Sequence, residues 1–237
     1  MSMPAPRRFG PVRSLIDRLL PQDCLLCSAP AGNALLCPDC SDDLPTLASG
    51  GCPRCALPGT AGVPCGACQR RPPHFDALYA LHPYRFPVDR LVQQLKYGHQ
   101  LAIARHFGRA LAPLCAAIDA ERIVPMPLHP GRLAERGFNQ ALEIVRALSR
   151  ECRLPVDSRH CRRTRATAPQ EGLNPEARRK NLRNAFACDT DYGGRHLLLV
   201  DDVATTGASA DECARTLKAH GAARVSVVVV ARTLPER

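Results

Sequence analysis

The chain has 237 residues, a length that exceeds one minimal domain and fits one α/β domain plus a small module. Hydrophobic residues make up 45% of it, which is enough for a packed core. Only 4% of the residues are aromatic and none is tryptophan, which excludes a core built mainly on large rings. The net charge of +10, from 32 basic and 22 acidic residues, favours a polyanionic partner such as phosphate or nucleic acid.

Residues 1–20 are predicted to form a short amphipathic segment. The apolar run in RSLIDRLLP is short and is broken by Asp17 and Arg18, so it predicts neither a signal peptide nor a membrane span. We therefore expect a cytoplasmic protein. In that reducing compartment clustered cysteines are more often metal ligands than disulfides.

Eight of the 13 cysteines form an internal repeat in which each unit is Cys-x2-Cys-x9-Cys-x2-Cys. The two units contain Cys24, Cys27, Cys37 and Cys40, then Cys52, Cys55, Cys65 and Cys68. Two residues between thiolates allow a tight turn to aim both sulfurs at one ion, and two such knuckles complete a tetrahedral site. The spacing predicts two structural Zn²⁺ sites, most simply one per repeat, although it also permits knuckles of different repeats to pair.

Two other uses of these cysteines are weaker. A redox-active dithiol needs one Cys-x-x-Cys pair rather than four, and an iron–sulfur cluster would need an electron-transfer partner that nothing in the sequence supplies. Zinc contributes roughly 10–16 kcal/mol per structural site, which a segment this short needs in order to fold. We predict a double zinc-ribbon module over residues 21–70, and QRRPPHF (Gln69–Phe75) as the linker to a second domain.

Residues 75–237 alternate between strand and helix patterns. FDALYALHPY predicts one or two strands, and VDRLVQQLKY and LAIARHFGRALAPLCAAI have helical periodicity. RIVPMPL predicts a strand, RLAERGFNQALEIVRALSREC returns to the helical period, and an Arg-rich loop follows. The last three elements are a strand in HLLLVDD, a helix in ADECARTLKAHGA and a strand in VSVVVVAR. This order predicts a parallel sheet with helices on both faces.

The most informative segment begins at His196. Leu197 to Val200 predict a buried strand, Asp201 and Asp202 follow at its carboxyl end, and a helix comes after a loop rich in Thr, Gly and Ser. Ligands of open α/β sheets bind at this end of the strands, and a helix N-terminus there favours phosphate. Asp201 and Asp202 are the candidate catalytic residues, since carboxylates beside a bound phosphate can accept bonds from ribose hydroxyls or hold Mg²⁺. The predicted phosphate-binding residues are Val203, Ala204, Thr205, Thr206, Gly207, Ala208 and Ser209.

This segment resembles the motif of type I phosphoribosyltransferases. Together with the cysteine repeat, QLKYGH (Gln94–His99), VPMPLHPGRLAERGFNQ (Val124–Gln140) and CRRTRATAPQEGLNPEARRKNLRNAF (Cys161–Phe186), it resembles the ComF family of competence-related proteins. The resemblance covers all but the first twenty or so residues. It implies a type I phosphoribosyltransferase-like α/β domain behind the zinc ribbons, which binds 5-phosphoribosyl-1-diphosphate with Mg²⁺. It also implies a role in handling internalised single-stranded DNA, with proteins of the DNA-uptake machinery as possible partners.

The resemblance also assigns further residues. Those expected to bind diphosphate are Pro127, Leu128, His129, Arg132, Arg136 and Lys96. Asn139 and Gln140 are expected on the same helix, where they orient the turn. A hood loop from Arg162 to Lys180 is expected to close over the ligand and contact DNA. Its cations are Arg162, Arg163, Arg178, Arg179 and Lys180, and residues 162–183 carry seven basic and two acidic side chains.

Three functions are consistent with these patterns. The first is a ligand-binding protein of DNA uptake, and the second is an active phosphoribosyltransferase of nucleotide metabolism or salvage. The third, a structural zinc adaptor, is disfavoured because the phosphate loop is intact. An active transferase would need a pocket that selects the acceptor base, and the sequence identifies none.

Overall fold

The computed structural model describes residues 22–166 and 181–235. These residues belong to two compact units that part between Leu44 and Pro45. The predicted amphipathic segment over residues 1–20 lies outside the described residues.

The described part of the first unit is one zinc-ribbon repeat. Strands β1 (Gln22–Asp23) and β2 (Pro30–Gly32) pair antiparallel, and helix α1 (Pro38–Asp42) follows. Cys37 caps α1, and Pro38 suits the first helical turn because its missing N–H would have no helical partner there. The hairpin and the helix start therefore hold the two cysteine knuckles of this repeat.

The second unit begins with the second repeat, which includes helix α2 (Gly66–Arg70). The sequence placed both repeats in one module before a linker. In the structure the second repeat groups with the α/β fold, and α2 extends into the predicted linker at Gln69 and Arg70.

The rest of the second unit is an α/β fold. Its elements are β3 (Ala77–Pro83), α3 (Val88–Tyr97), α4 (Leu101–Ala116), β4 (Arg122–Pro125), α5 (Pro130–Arg136), α6 (Gln140–Cys152), β5 (Cys161–Arg163), β6 (Phe186–Cys188), β7 (His196–Ala204), α7 (Ala208–Ala219) and β8 (Arg224–Arg232). Its four-stranded sheet has the order β3-β8-β7-β4, with every neighbouring pair parallel. The predicted parallel sheet is confirmed, and FDALYALHPY contributes one strand.

The sheet is covered by helices because its central strands are apolar on both faces. Leu197 and Leu199 of β7 join the core cluster that contains Cys213 and Leu217 of α7, whereas the alternate residues Leu198 and Val200 are buried outside that cluster. Helices α4 and α6 pack closely against each other. A Cβ at Gly108 would lie 2.5 Å from the Ile144 carbonyl oxygen, so a residue without a side chain is needed there.

Three predicted boundaries were wrong. Strand β7 does not stop at Val200 but continues through both aspartates to Ala204, because it pairs with β8 as far as Arg232. The predicted helix from Arg132 to Cys152 is two helices, since Gly137 ends α5 at a φ of +78°. Asn139 then caps α6, so Asn139 and Gln140 do not continue the helix that carries Arg136.

The base of the predicted hood is also regular structure. Arg162 and Arg163 lie in strand β5, which pairs antiparallel with β6, and not in a loop. Arg178, Arg179 and Lys180 lie outside the described residues.

Candidate functional site

Each cysteine repeat forms its own cluster. In the cluster of Cys24, Cys27, Cys37 and Cys40 and in that of Cys52, Cys55, Cys65 and Cys68, all four sulfurs lie within 4.8 Å of one another. The Sγ atoms are 3.7 Å apart in the Cys27–Cys37 pair and 3.6 Å apart in the Cys55–Cys65 pair. Tetrahedral Zn–S bonds of about 2.3 Å separate sulfurs by about 3.8 Å. Both clusters therefore fit Zn²⁺ with one ion per repeat, and knuckles of different repeats do not pair.

The thiols of a cluster do not ionise equally. Burial raises the pKa of Cys24, but backbone N–H groups, first that of Cys37, outweigh burial and lower this pKa to about 6. The side chains of Cys27 and Cys37 raise the pKa of Cys40. One thiolate therefore opposes ionisation of its neighbours, and a divalent cation removes that repulsion.

The carboxyl end of β7 holds two aspartates with different partners. The Asp202 side chain is only 5% exposed, and its Oδ2 lies 2.5 Å from Nζ of Lys96 on α3. Asp201 lines a small depression beside the loop that follows the strand. Lys96, which the family resemblance assigned to diphosphate, is thus paired with Asp202 in this structure.

The two carboxyl groups have opposite pKa shifts. Burial and the neighbouring Asp202 raise the pKa of Asp201 well above its usual range. Burial acts in the same direction on Asp202, but the Lys96 ammonium outweighs it and lowers that pKa. Asp202 is therefore ionised at neutral pH, whereas Asp201 holds its proton to a higher pH than an exposed aspartate does.

The phosphate loop joins β7 to α7. Gly207, at a φ of +79°, is the N-cap of α7, and the Ala208 N–H donates to Thr206 Oγ1 at 3.3 Å. The depression at this turn has a volume of about 20 Å³, which is room for about one water-sized group. It is lined by Asp201, Val203, Ala204, Thr205, Gly207, Ala208, Ser209, Ala210 and Val229. Most of the predicted phosphate-binding residues therefore share one depression with Asp201, while Thr206 faces a neighbouring cleft.

The segment after β4 runs along the same edge of the sheet. The Met126 N–H donates to the Val200 carbonyl at 2.8 Å, and the Asn139 side-chain amide donates to the Met126 carbonyl at 3.0 Å. Asn139 is therefore hydrogen-bonded to the start of this turn. The Gly131 N–H donates to Nδ1 of His129 at 3.1 Å, so this amide is already hydrogen-bonded within the turn.

The two arginines predicted to bind diphosphate differ in their surroundings. Arg132 is exposed and lies 3.3 Å from Glu135. Arg136 donates to Gln140 Oε1 at 2.7 Å and lies 5.5 Å from the centre of the Tyr97 ring. Both sit on α5, directly after Pro127 and Leu128, so the predicted diphosphate segment is continuous in space.

A larger cleft, of about 450 Å³, separates this segment from the strand at the base of the hood. Its walls include Pro127, Leu128, Phe138, Arg162 and Arg163. Arg163 also stacks on Phe186, with its guanidinium carbon 5.7 Å from the ring centre, and the exposed Arg162 pairs with Asp189. The sequence did not reveal this cleft, because its walls come from segments far apart in the chain.

Comparison with known proteins agrees with this arrangement. Residues 15–69 match the double zinc ribbon domain family, and residues 133–236 match the phosphoribosyl transferase domain family. The chain is 38% identical to the "DNA utilization protein YhgH" of Escherichia coli O157:H7 over 91% of its own length and 99% of that protein. It is 33% identical to "Competence protein F" of Haemophilus influenzae over 71% of its own length and 78% of that protein. The chain belongs to the ComF family.

Within this ComF-family chain, sequence reasoning missed one residue that contacts the phosphate loop. Arg232 ends β8 and is 4% exposed, and its Nη1 donates to the Ala204 carbonyl at 2.9 Å. The sequence feature that could have indicated this residue is an arginine directly after the apolar run VSVVVVA, at the carboxyl end of a predicted strand. Among the described helices, none is long and apolar enough to cross a membrane.

Proposed function

We propose that this chain binds 5-phosphoribosyl-1-diphosphate with Mg²⁺, or a related nucleotide, at the end of β7, and handles single-stranded DNA during DNA uptake. The observation that carries the ligand proposal is the placement of Asp201 and the phosphate loop around one depression, at the N-terminus of the 12-residue helix α7. Free N–H groups and the helix dipole favour a phosphate at this position.

Each part of the ligand has residues of suitable chemistry. The 5-phosphate would contact Thr205 to Ser209, and the ribose hydroxyls would donate to Asp201. Mg²⁺ prefers carboxylate oxygens and phosphate, so Asp201 is the residue that would hold it, and bound Mg²⁺ would neutralise charge on the diphosphate. Arg132 and Arg136 would contact the diphosphate, for which planar guanidinium groups suit two-point contacts. Because Lys96 is held by Asp202, we assign it to positioning that carboxylate.

Isothermal titration calorimetry with 5-phosphoribosyl-1-diphosphate tests this function. We expect saturable binding that requires Mg²⁺, and a loss of at least tenfold in affinity on Asp201→Asn. Inorganic diphosphate and ribose 5-phosphate, each tested alone, show whether both halves of the site contribute. No binding by folded wild-type protein, with or without Mg²⁺, would remove the proposal.

A second candidate, an active phosphoribosyltransferase, is favoured by the cleft of about 450 Å³. It borders the predicted diphosphate segment and is large enough for a nucleobase. The base could stack on the Phe138 ring or on the planar guanidinium of Arg163. Transfer at the anomeric carbon would depend on stabilising the leaving diphosphate, so a protein nucleophile is not required. Diphosphate release in the presence of a panel of bases, with detection of the nucleotide product, separates an enzyme from a binding protein.

The DNA part of the proposal rests on charge and on the names of the relatives. The net charge is +10, and seven basic residues lie between Arg162 and Arg183. Arg162 is exposed at the base of this segment, where a phosphate could contact its guanidinium. Two relatives are named for DNA utilization and competence, which favours nucleic acid over other polyanions.

A further inference from the structure

The buried side chain of Arg232 contacts two parts of the second unit that are far apart in the chain. Its Nε donates to the Cys55 carbonyl at 3.0 Å, within the first knuckle of the second cysteine cluster. Its Nη1 donates to the carbonyls of Ala204, at 2.9 Å, and Thr205, at the start of the phosphate loop. One guanidinium thus joins a metal-cluster knuckle to the anion-binding loop.

These contacts are geometrically demanding. A guanidinium is planar and its donors point in fixed directions, so it can satisfy carbonyls on two sides only while both keep their positions. Arg232 is 4% exposed, and its Nη1 also donates to the Thr233 carbonyl at 3.0 Å. A shift of the knuckle or of the loop would leave a buried charged donor without its acceptor, which is strongly unfavourable.

The position of the Cys55 carbonyl depends on the knuckle that carries it. That turn is closed by two backbone bonds, from the Cys52 N–H to the Leu57 carbonyl at 2.7 Å and from the Ala56 N–H to the Cys52 carbonyl at 2.8 Å. Its two sulfurs face those of Cys65 and Cys68. A tetrahedral ion fixes the sulfurs of both knuckles relative to each other, and so fixes the carbonyl that Arg232 contacts.

The charge of the zinc-loaded cluster also favours the position of the Arg232 guanidinium. Four thiolates and one Zn²⁺ have a formal net charge of −2, which favours a buried guanidinium beside the loaded cluster.

The phosphate loop has room to move if these contacts are lost. A cleft of about 270 Å³ lies between the second ribbon and the loop, and its walls include Arg70, Phe75, Thr206, Gly207 and Arg232. A Cβ added at Gly207 would be in ordinary van der Waals contact with Phe75, at 3.8 Å, so there is space for one methyl group on this side of the loop.

We propose that Arg232 couples the second cysteine cluster to the phosphate loop, so that Zn²⁺ bound by Cys52, Cys55, Cys65 and Cys68 holds the loop in its anion-binding shape. Arg232 is thus a positioning residue, and the second zinc is part of the ligand site as well as of the ribbon. The consequence for ligand affinity rests on the proposed phosphoribosyl function, whereas the consequence for the loop does not.

Hydrogen exchange of the full chain, without ligand, tests the coupling. We expect Cys65→Ser and Arg232→Met each to speed amide exchange in residues 203–209 by at least tenfold. Arg232→Lys keeps the positive charge but replaces the planar guanidinium, whose donors reach both sides, by a single ammonium group. We expect this variant to speed exchange as well. It tests the role of Arg232 if Cys65→Ser fails to fold.

Two matched controls isolate the cause. Arg54, in the same ribbon, donates to the Asp76 carbonyl at 3.0 Å and not to the Ala204 or Thr205 carbonyls that Arg232 contacts. Arg54→Met should leave exchange of residues 203–209 unchanged, as should Cys40→Ser, which loses a ligand of the cluster in the other compact unit.

Zinc release provides the reciprocal measurement. In a Cys40→Ser background, which retains only the second cluster, Arg232→Met should speed transfer of zinc to a chromophoric chelator severalfold, and Arg54→Met should not. The proposal is wrong if folded Arg232→Met and Arg232→Lys proteins exchange the amides of residues 203–209 at the same rate as the wild-type protein. Failure of wild-type protein to bind 5-phosphoribosyl-1-diphosphate would instead remove only the proposed function, because neither readout uses that ligand.

Discussion

Lys96 and Asp202 form an ion pair, Nζ to Oδ2 at 2.5 Å, that joins the last turn of α3 to the carboxyl end of β7. The pair is mostly buried, with side-chain exposures of 21% and 5%. It leaves Asp201 as the carboxylate that lines the depression beside the phosphate loop. The adjacent aspartates thus have different surroundings: Asp202 is paired with Lys96, and Asp201 faces the depression proposed to bind the ligand.

Removing the cation from this pair should destabilise the fold. Lys96→Met leaves the buried Asp202 carboxylate unpaired, and breaking such a pair from one side costs about 3–5 kcal/mol. We expect a loss near the lower end, about 3 kcal/mol, because Lys96 is partly exposed. Urea denaturation at pH 7 measures it. The double variant Lys96→Met/Asp202→Asn should recover much of the loss, and equal losses in the single and double variants would contradict the pairing.

The two aspartates should respond oppositely to neutralisation. The pKa of Asp201 is raised, so the folded state keeps this proton while the unfolded chain loses it near pH 4, and Asp201 reduces stability increasingly as the pH rises from there. Asp201→Asn should therefore make the ligand-free protein more stable than wild type at pH 7, because the amide carries no charge to bury.

Asp202→Asn should have the reverse effect. The pKa of Asp202 is lowered, so its stabilisation is present at neutral pH and is lost as the pH falls below about 4. This variant should be less stable than wild type at pH 7 and approach it in acid. Thermal melts of both variants between pH 3 and pH 8 check the two signs, and destabilisation by both at pH 7 would refute the assignment.

Gly207 should matter to the ligand more than to the fold. Its φ of +79° is strained for any residue with a side chain, and such strain costs about 1–2 kcal/mol. Gly194, at a φ of +78° with nothing within 4 Å of an added Cβ, lies just before the opposite end of β7 and is a matched control. We expect Gly207→Ala and Gly194→Ala to lose similar stability, but only the former to lose affinity for 5-phosphoribosyl-1-diphosphate. Calorimetry beside urea denaturation separates the two effects.

Patterns within short stretches of the sequence predicted those parts of the site whose residues are close together in the chain. The cysteine repeat predicted both clusters, and the run from Leu197 to Ser209 predicted the strand, the loop and the helix that follows. The Lys96–Asp202 pair and the contacts of Arg232 join segments distant in sequence, so no local pattern indicates them. Strand β7 was predicted too short because Asp201 and Asp202 are unfavourable in a buried strand, whereas pairing with β8 and the Lys96 ion pair stabilise them there.

Two equivalents of zinc should remain with the purified protein. Each cluster has four sulfurs within 4.8 Å, so elemental analysis should find close to two ions per chain. Cys27→Ser and Cys55→Ser should each reduce the content to about one, since each removes a ligand from a different cluster. A wild-type content near zero in folded protein would exclude the metal assignment.

Binding of single-stranded DNA should be mainly electrostatic, because aromatic residues are scarce and arginines are clustered between positions 162 and 183. Fluorescence anisotropy at several salt concentrations should give an affinity that falls with salt at a slope of roughly −0.7 per phosphate contact. Changing Arg162, Arg163, Arg178 and Arg179 together to Gln should lower both the affinity and the slope. The control set Arg105, Arg109, Arg150 and Arg159 removes the same charge elsewhere and should change the slope less. Equal effects of the two sets would mean that overall charge, not the hood, attracts DNA, and salt-independent binding would exclude arginine–phosphate contacts as its basis.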